Sequence, residues 1–191
     1  MRAGFADAVL DSQRAFRSLL EAMAHPGRVV IMPALDAPPP LDGAAAAACL
    51  ALLDHETPLW IDPAGATPDV VAWLRFHAGA PVVGGARGAR FALVVDGAAL
   101  PPLDAFDAGT DERPDLSATV VLQVSGLVAG SGMRLRGPGI EREARLDVLG
   151  APAGFAAMCR ANGARFPRGI DLVLCSGRRL AALPRTTRVE G

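Results

Sequence analysis

The chain has 191 residues, a net charge of −1 and 51 % hydrophobic residues at a mean hydropathy of +0.29, which excludes a disordered chain and allows a packed core without staples. All 19 basic residues are Arg. With no Lys, a Schiff-base nucleophile, covalent pyridoxal phosphate chemistry and a Walker-type phosphate loop are excluded.

In chain order, residues 4–24 predict an amphipathic helix. Phe5, Val9, Phe16, Leu19, Leu20 and Met23 recur near helical spacing, and His25-Pro26-Gly27 stops it. Val29–Leu35 predicts a strand, followed by the stiff Pro38-Pro39-Pro40 loop. Residues 43–54 predict a second helix, so rich in Ala that it must pack closely against a neighbour. Pro58–Ile61 predicts a short buried strand. Thr67-Pro68 supplies an N-cap with Pro at the first helical position, opening a helix to about His77 that Gly79-Ala80-Pro81 ends. The Gly84–Gly88 loop lacks dinucleotide-binding spacing and precedes a strand, Arg90–Asp96. Residues 101–117 predict a loop with one helical turn. Thr119–Ser125 is apolar and rich in β-branched residues, as in a strand covered on both faces. Met133–Arg136 and Ile140–Arg145 predict a hairpin about Gly137-Pro138-Gly139. Residues 151–162 predict a helix stopped by Asn162-Gly163, and Ile170–Cys175 with Leu180–Leu183 predict a final strand pair. Helices alternating with strands and then hairpins predict one α/β domain over residues 1–191, with a mixed β-sheet flanked by helices.

Charge divides unevenly. Residues 134–191 carry 11 Arg against 5 acids, while residues 1–133 carry 8 against 15. A basic final third suits a phosphate-bearing ligand or an acidic partner, or neutralises the rest of the chain. Interleaved aromatics are missing there, so nucleic acid is not an expected partner. Cys49, Cys159 and Cys175 sit among apolar residues and predict buried thiols in a reducing cytoplasm; Cys159, beside Arg160, is the least unsuited to nucleophilic work. Neither a signal peptide nor a membrane span is expected, and His25, His55 and His77 lie on separate elements, so no metal site is expected. Arg75 and His77 close one helix, where its dipole alone explains them. Arg185-Thr186-Thr187-Arg188 follows the last predicted strand. It reads either as a two-guanidinium, two-hydroxyl phosphate grip or as a solvated tail.

Six blocks in one order carry a family resemblance. They run from Phe16-Arg17-x-Leu19-Leu20-x-Ala22-Met23-x-x-Pro26-Gly27 through Asp54-x-x-Thr57-Pro58-x-Trp60 and Leu74-Arg75-Phe76-His77-x-x-Ala80-Pro81. Leu135-x-Gly137-x-Gly139-Ile140, Phe166-Pro167-x-Gly169-Ile170-Asp171-Leu172 and Pro184-Arg185-Thr186-Thr187 complete them. This pattern resembles PhnH, a subunit family of the bacterial carbon–phosphorus lyase system. The resemblance implies a fold like the large domain of pyridoxal-phosphate-dependent transferases, working without that cofactor or any other. It implies a component of the complex that transfers the ribose triphosphate of ATP to alkylphosphonate with release of adenine, inactive alone. The implied partners are PhnG, PhnI, PhnJ and PhnL, with a homodimer of the chain itself. No catalytic residue carries over. Charge and position make Arg75, His77, Arg136, Arg185 and Thr186 the candidates for ligand or partner contact. An independent small-molecule enzyme, a phosphate-ligand-binding protein, or a protein that binds pyridoxal phosphate noncovalently are the alternatives.

Overall fold

The computed structural model describes residues 2–190. Four helices are α1 Ala8–Ala24, α2 Gly43–Leu52, α3 Pro68–Ala78 and α4 Phe155–Gly163. Nine strands are β1 Val30–Ile31, β2 Leu59–Ile61, β3 Phe91–Val94, β4 Thr119–Gln123, β5 Gly126–Arg136, β6 Ala144–Leu149, β7 Asp171–Ser176, β8 Arg179–Leu183 and β9 Arg188–Glu190. The main sheet has the order β1-β8-β7-β4-β3-β2, with β2, β3, β4 and β7 parallel and β8 antiparallel to both its neighbours. A small antiparallel sheet has the order β6-β5-β9. The architecture is α/β, a mixed sheet flanked by helices.

The two faces of the main sheet bury different cores. On one face Ala15, Leu19, Ala44–Ala48, Trp73 and Leu74 of α1, α2 and α3 pack on Leu59, Leu93, Val121 and Val173. On the other, Leu135, Leu146 and Val189 of the small sheet and Phe155 and Cys159 of α4 pack on Val94, Val120, Leu122 and Leu172. The strand β4 lies between both, with Val120 and Val121 buried, as its unbroken apolar run predicts.

Alanine brings α2 close to its neighbours: Ala44–Ala48 are all 0 % exposed, and Ala44 N donates to Gly177 O at 2.8 Å. Polar side chains fasten its entry. Gln123 Oε1 accepts from Asp42 N at 2.6 Å while its amide donates to Pro40 O at 3.1 Å, and Asp42 Oδ2 accepts from Gly177 N at 2.8 Å. The start of α3 follows its sequence signals, since Thr67 Oγ1 accepts from Val70 N and Gly79 takes a left-handed conformation at φ 71° after its last turn.

Several predicted elements change. The first helix begins at Ala8, because Asp7 caps it by accepting from Val9 N and Leu10 N. Its buried face is Ala15, Leu19 and Ala22, so Val9, Phe16 and Leu20 point outward. The Val29–Leu35 strand shrinks to two residues, because Pro33 has no N–H to continue the ladder. The predicted hairpin exists but with other bounds: β5 starts at Gly126, residues 137–143 form a long connection, and β6 starts at Ala144. The helix α4 ends at Gly163, as the Asn162-Gly163 stop predicts, but it starts at Phe155, and Asn162 does more than mark its end. That residue lies buried in the last turn, where its side chain accepts from Ile170 N and donates to Ile170 O, both at 2.9 Å. The Leu180–Leu183 strand is not the last, since β9 follows and pairs with β5.

Candidate functional site

Four of the six family-like blocks meet at one end of the small sheet. The β5–β6 connection reaches the end of α1: a Cβ on Gly139, at φ +80°, would come 1.8 Å from Ala24 O, so only glycine fits there. Its neighbour Gly137 faces Thr186, whose carbonyl oxygen a Cβ would approach to 2.9 Å. From the other side, Gly163 of α4 faces the Thr187 and Arg185 carbonyls. Residues 184–188 therefore run between two glycine walls.

That segment is tightly held. Thr187 N donates to Pro184 O at 2.8 Å, and Arg185 N donates to Asp171 Oδ1 at 2.8 Å. The Arg185 guanidinium grips the same carboxylate through Nε at 3.3 Å and Nη2 at 2.6 Å, and Nη1 donates to Pro114 O at 2.6 Å. Both side chains are nearly buried, 15 % and 16 % exposed. The solvated-tail reading of residues 185–188 is excluded: Thr187 and Val189 are buried. The Thr187 hydroxyl has no hydrogen-bond partner among the described residues.

A cavity of about 430 Å³ opens over the segment, lined by Gly137, Pro138, Gly163, Phe166, Arg185, Thr186 and Arg188. A second of about 400 Å³ shares Phe166, Arg185 and Thr186 and reaches Met23, Asp115 and Asp171. Both are large enough for a small ligand.

The predicted candidates separate into two places. Arg185 and Thr186 line both cavities, and Arg136 sits at the end of β5 beside Gly137. Arg75 and His77 are elsewhere, in the last turn of α3. The His77 Nε2 lies 3.2 Å from Arg2 O, which also accepts from Trp73 Nε1 at 3.0 Å. This histidine fastens residues 2–4 to α3, and Gly4 is pressed against its ring.

The outward face of the small sheet is dense in charge. Arg136 pairs with Arg188 in register, Arg134 with Glu190 on one side and Arg145 on the other. Arg134 Nη2 donates to Glu190 at 2.9 Å, Arg145 Nε donates to Glu143 at 3.0 Å, and Arg136 lies 3.7 Å from Glu190 and 3.8 Å from Glu143. The Arg134 hydrogen bond holds Glu190 below the usual carboxylate range, with the charges of Arg136 and Arg188 adding to it.

Nucleophilic and metal chemistry find little support. Burial pushes the Cys159 thiol up to about 12, against the weaker opposing pull of Arg160, so it is not a thiolate at neutral pH. Among the described residues no three His, Cys, Asp or Glu side chains gather as a metal site.

Sequence reasoning passed over Pro138, Gly163 and Asp171 as site components. Asp171 stands inside a family-like block and Arg188 within the noted Arg-Thr-Thr-Arg run; the missing information was which of the two arginines is held by a carboxylate.

Comparison with known proteins gives the family of the chain. The model of the family described as "Bacterial phosphonate metabolism protein (PhnH)" matches residues 3–190. Over 187 residues the chain is 43 % identical to the alpha-D-ribose 1-methylphosphonate 5-triphosphate synthase subunit PhnH of Rhizobium meliloti (strain 1021), covering 97 % of this chain and 94 % of the relative. It is 38 % identical over 183 residues to HtxG of Stutzerimonas stutzeri, a protein assigned provisionally as a C-P lyase subunit, covering 93 % and 85 % of the two. Near-complete coverage by a single family model places this chain in the PhnH family of bacterial phosphonate metabolism proteins.

Proposed function

We propose that the chain is a subunit of a carbon–phosphorus lyase assembly, required for making the ribose 1-phosphonate 5-triphosphate product from ATP and alkylphosphonate and inactive alone. The observation that carries this reading is the 43 % identity, over 97 % of the chain, to a subunit of the synthase that makes the methyl form of that product. The chain supports it from its own side. It has no Lys for covalent cofactor chemistry, and its cysteines are buried. The mixed, largely parallel sheet is compatible with a transferase-like large domain that has lost its cofactor. Other assembly subunits, PhnG, PhnI, PhnJ and PhnL, are the partners in this reading, together with a second copy of the chain, all in the cytoplasm. No helix among the described residues is long and apolar enough to cross a membrane.

Two surfaces divide the work. The cavity over residues 184–188 receives a phosphate-bearing ligand, with Thr186 and Arg188 at its walls, Arg185 bracing it and Arg136 beside it at the end of β5. The outer end of α3, with Arg75 and the 71 % exposed Phe76 beside His77, faces a partner. Tagged protein from phosphate-starved cells is expected to co-purify with an assembly, and the isolated chain to release no adenine from ATP and methylphosphonate. Adenine release by the isolated chain overturns the reading in favour of an independent enzyme.

A further inference from the structure

The register of β9 on β5 sets Arg188 directly opposite Arg136. Leu135 and Val189, one position along, face the core, so both guanidiniums leave on the outward face of the small sheet. Like charges directly opposed across strands destabilise a sheet. Here the acids do not resolve the conflict. Glu143 serves Arg134, Arg136 and Arg145, and Glu190 serves Arg134 and Arg136, mostly at 3.7–3.8 Å. The Arg188 side chain makes no hydrogen bond or ion pair among the described residues; it meets Glu190 only through longer-range attraction. The other acid on this face, Asp147, lies further along β6, opposite Val128. At this end four guanidiniums thus share two carboxylates, and the least satisfied of the four lines the cavity.

We propose that Arg136 and Arg188 form a two-guanidinium clamp for a chain of phosphoryl groups, entering the cavity between Pro138 and Phe166. This rests on the phosphate-ligand reading of the cavity given above and specifies it. Two adjacent forked cations match adjacent tetrahedral anions better than one, because each guanidinium can donate two parallel hydrogen bonds to a separate phosphoryl group. A cavity of about 430 Å³ is far roomier than one phosphate needs. Arg185 is a positioning residue in this scheme: its guanidinium is spent on Asp171 and the Pro114 carbonyl, and it holds Thr186 in the cavity wall.

Titration calorimetry of the full chain tests the clamp with inorganic tripolyphosphate, inorganic phosphate and ATP as separate probes. Tripolyphosphate is expected to bind at least roughly tenfold more tightly than phosphate, and R136A and R188A each to weaken it at least roughly tenfold, the worth of one charge-assisted hydrogen bond. R87A, at an exposed arginine before β3, is expected to bind as the parent does. Unchanged thermal unfolding of R188A confirms that lost binding is not lost folding. Absence of tripolyphosphate binding, or equal binding by R136A, R188A and the parent, overturns the clamp. So does ATP binding that is tighter than tripolyphosphate and survives R188A, which moves the ligand elsewhere. If R188A keeps tripolyphosphate but no longer co-purifies with the assembly, the face docks a partner and the clamp falls, while the subunit reading stands.

Discussion

Arg185 and Arg188 are three residues apart and equal in formal charge, yet the fold gives them opposite tasks. The first is nearly buried on Asp171 and the Pro114 carbonyl; the second is exposed beside a cavity. Removing one member of a nearly buried pair leaves the other charge without compensation. Asp171→Ala is therefore expected to cost about 3 kcal/mol in urea unfolding, and Arg188→Ala less than about 0.5 kcal/mol, as for an exposed position. The thiols give a pH test. Burial pushes Cys49 from 9.0 up to about 12, so the native state keeps a proton that the unfolded chain gives up. The associated stability is whole below about pH 9 and is lost as pH rises toward about 12. Urea midpoints are expected to fall more steeply with pH above 9 in the parent than in Cys49→Ala. That these cysteines are buried was legible from their apolar neighbours; that Arg185 would be consumed was not, because its partner stands 14 residues earlier in chain order.

Among the elements, those with local punctuation read best from sequence. The helix α3 carries a Thr cap, a Pro in its first turn and a Gly stop, and it forms within a residue of its predicted bounds. Thr67→Ala is expected to cost about 1 kcal/mol in chemical unfolding, the usual worth of such a cap. The strand β9 was invisible for a physical reason. Three residues carry no periodicity, and this strand exists because Val189 has a slot opposite Leu135. The β5–β6 hairpin was half legible. Gly137-Pro138-Gly139 marked the reversal, and a tight turn forms there, with Ile140 N donating to Gly137 O at 3.1 Å and Gly139 at φ 80°, but the same glycines also answer to Thr186 and Ala24 across space. Gly139→Ala is accordingly expected to be severely destabilising, with a loss of more than about 3 kcal/mol or no recoverable folded protein, since it forces the connection off α1. The helix α1 misled in its outer half: helical periodicity registers that Val9, Phe16 and Leu20 share a stripe, but does not say whether the stripe faces inward.

At the scale of the whole molecule, composition and element order were enough to reach the α/β class and the mixed sheet. The separation of the candidate residues was not readable, because Arg75 and Arg185 belong to layers that only the strand order assigns to opposite faces. That separation has a measurable result. Phe76→Asp, at the exposed end of α3, is expected to weaken co-purification with the assembly and leave tripolyphosphate affinity within about twofold of the parent, because distant sites without shared contacts behave additively. Between those two surfaces stands a sheet whose central strands, β3, β4 and β7, are buried on both sides and fastened at their edge by Gln123, Asp42 and Gly177. Such a slab transmits little. On the reading proposed above, a neighbour grasps the helical side without disturbing what rests on the arginine side, and the polypeptide serves as an adaptor with two unlinked sockets.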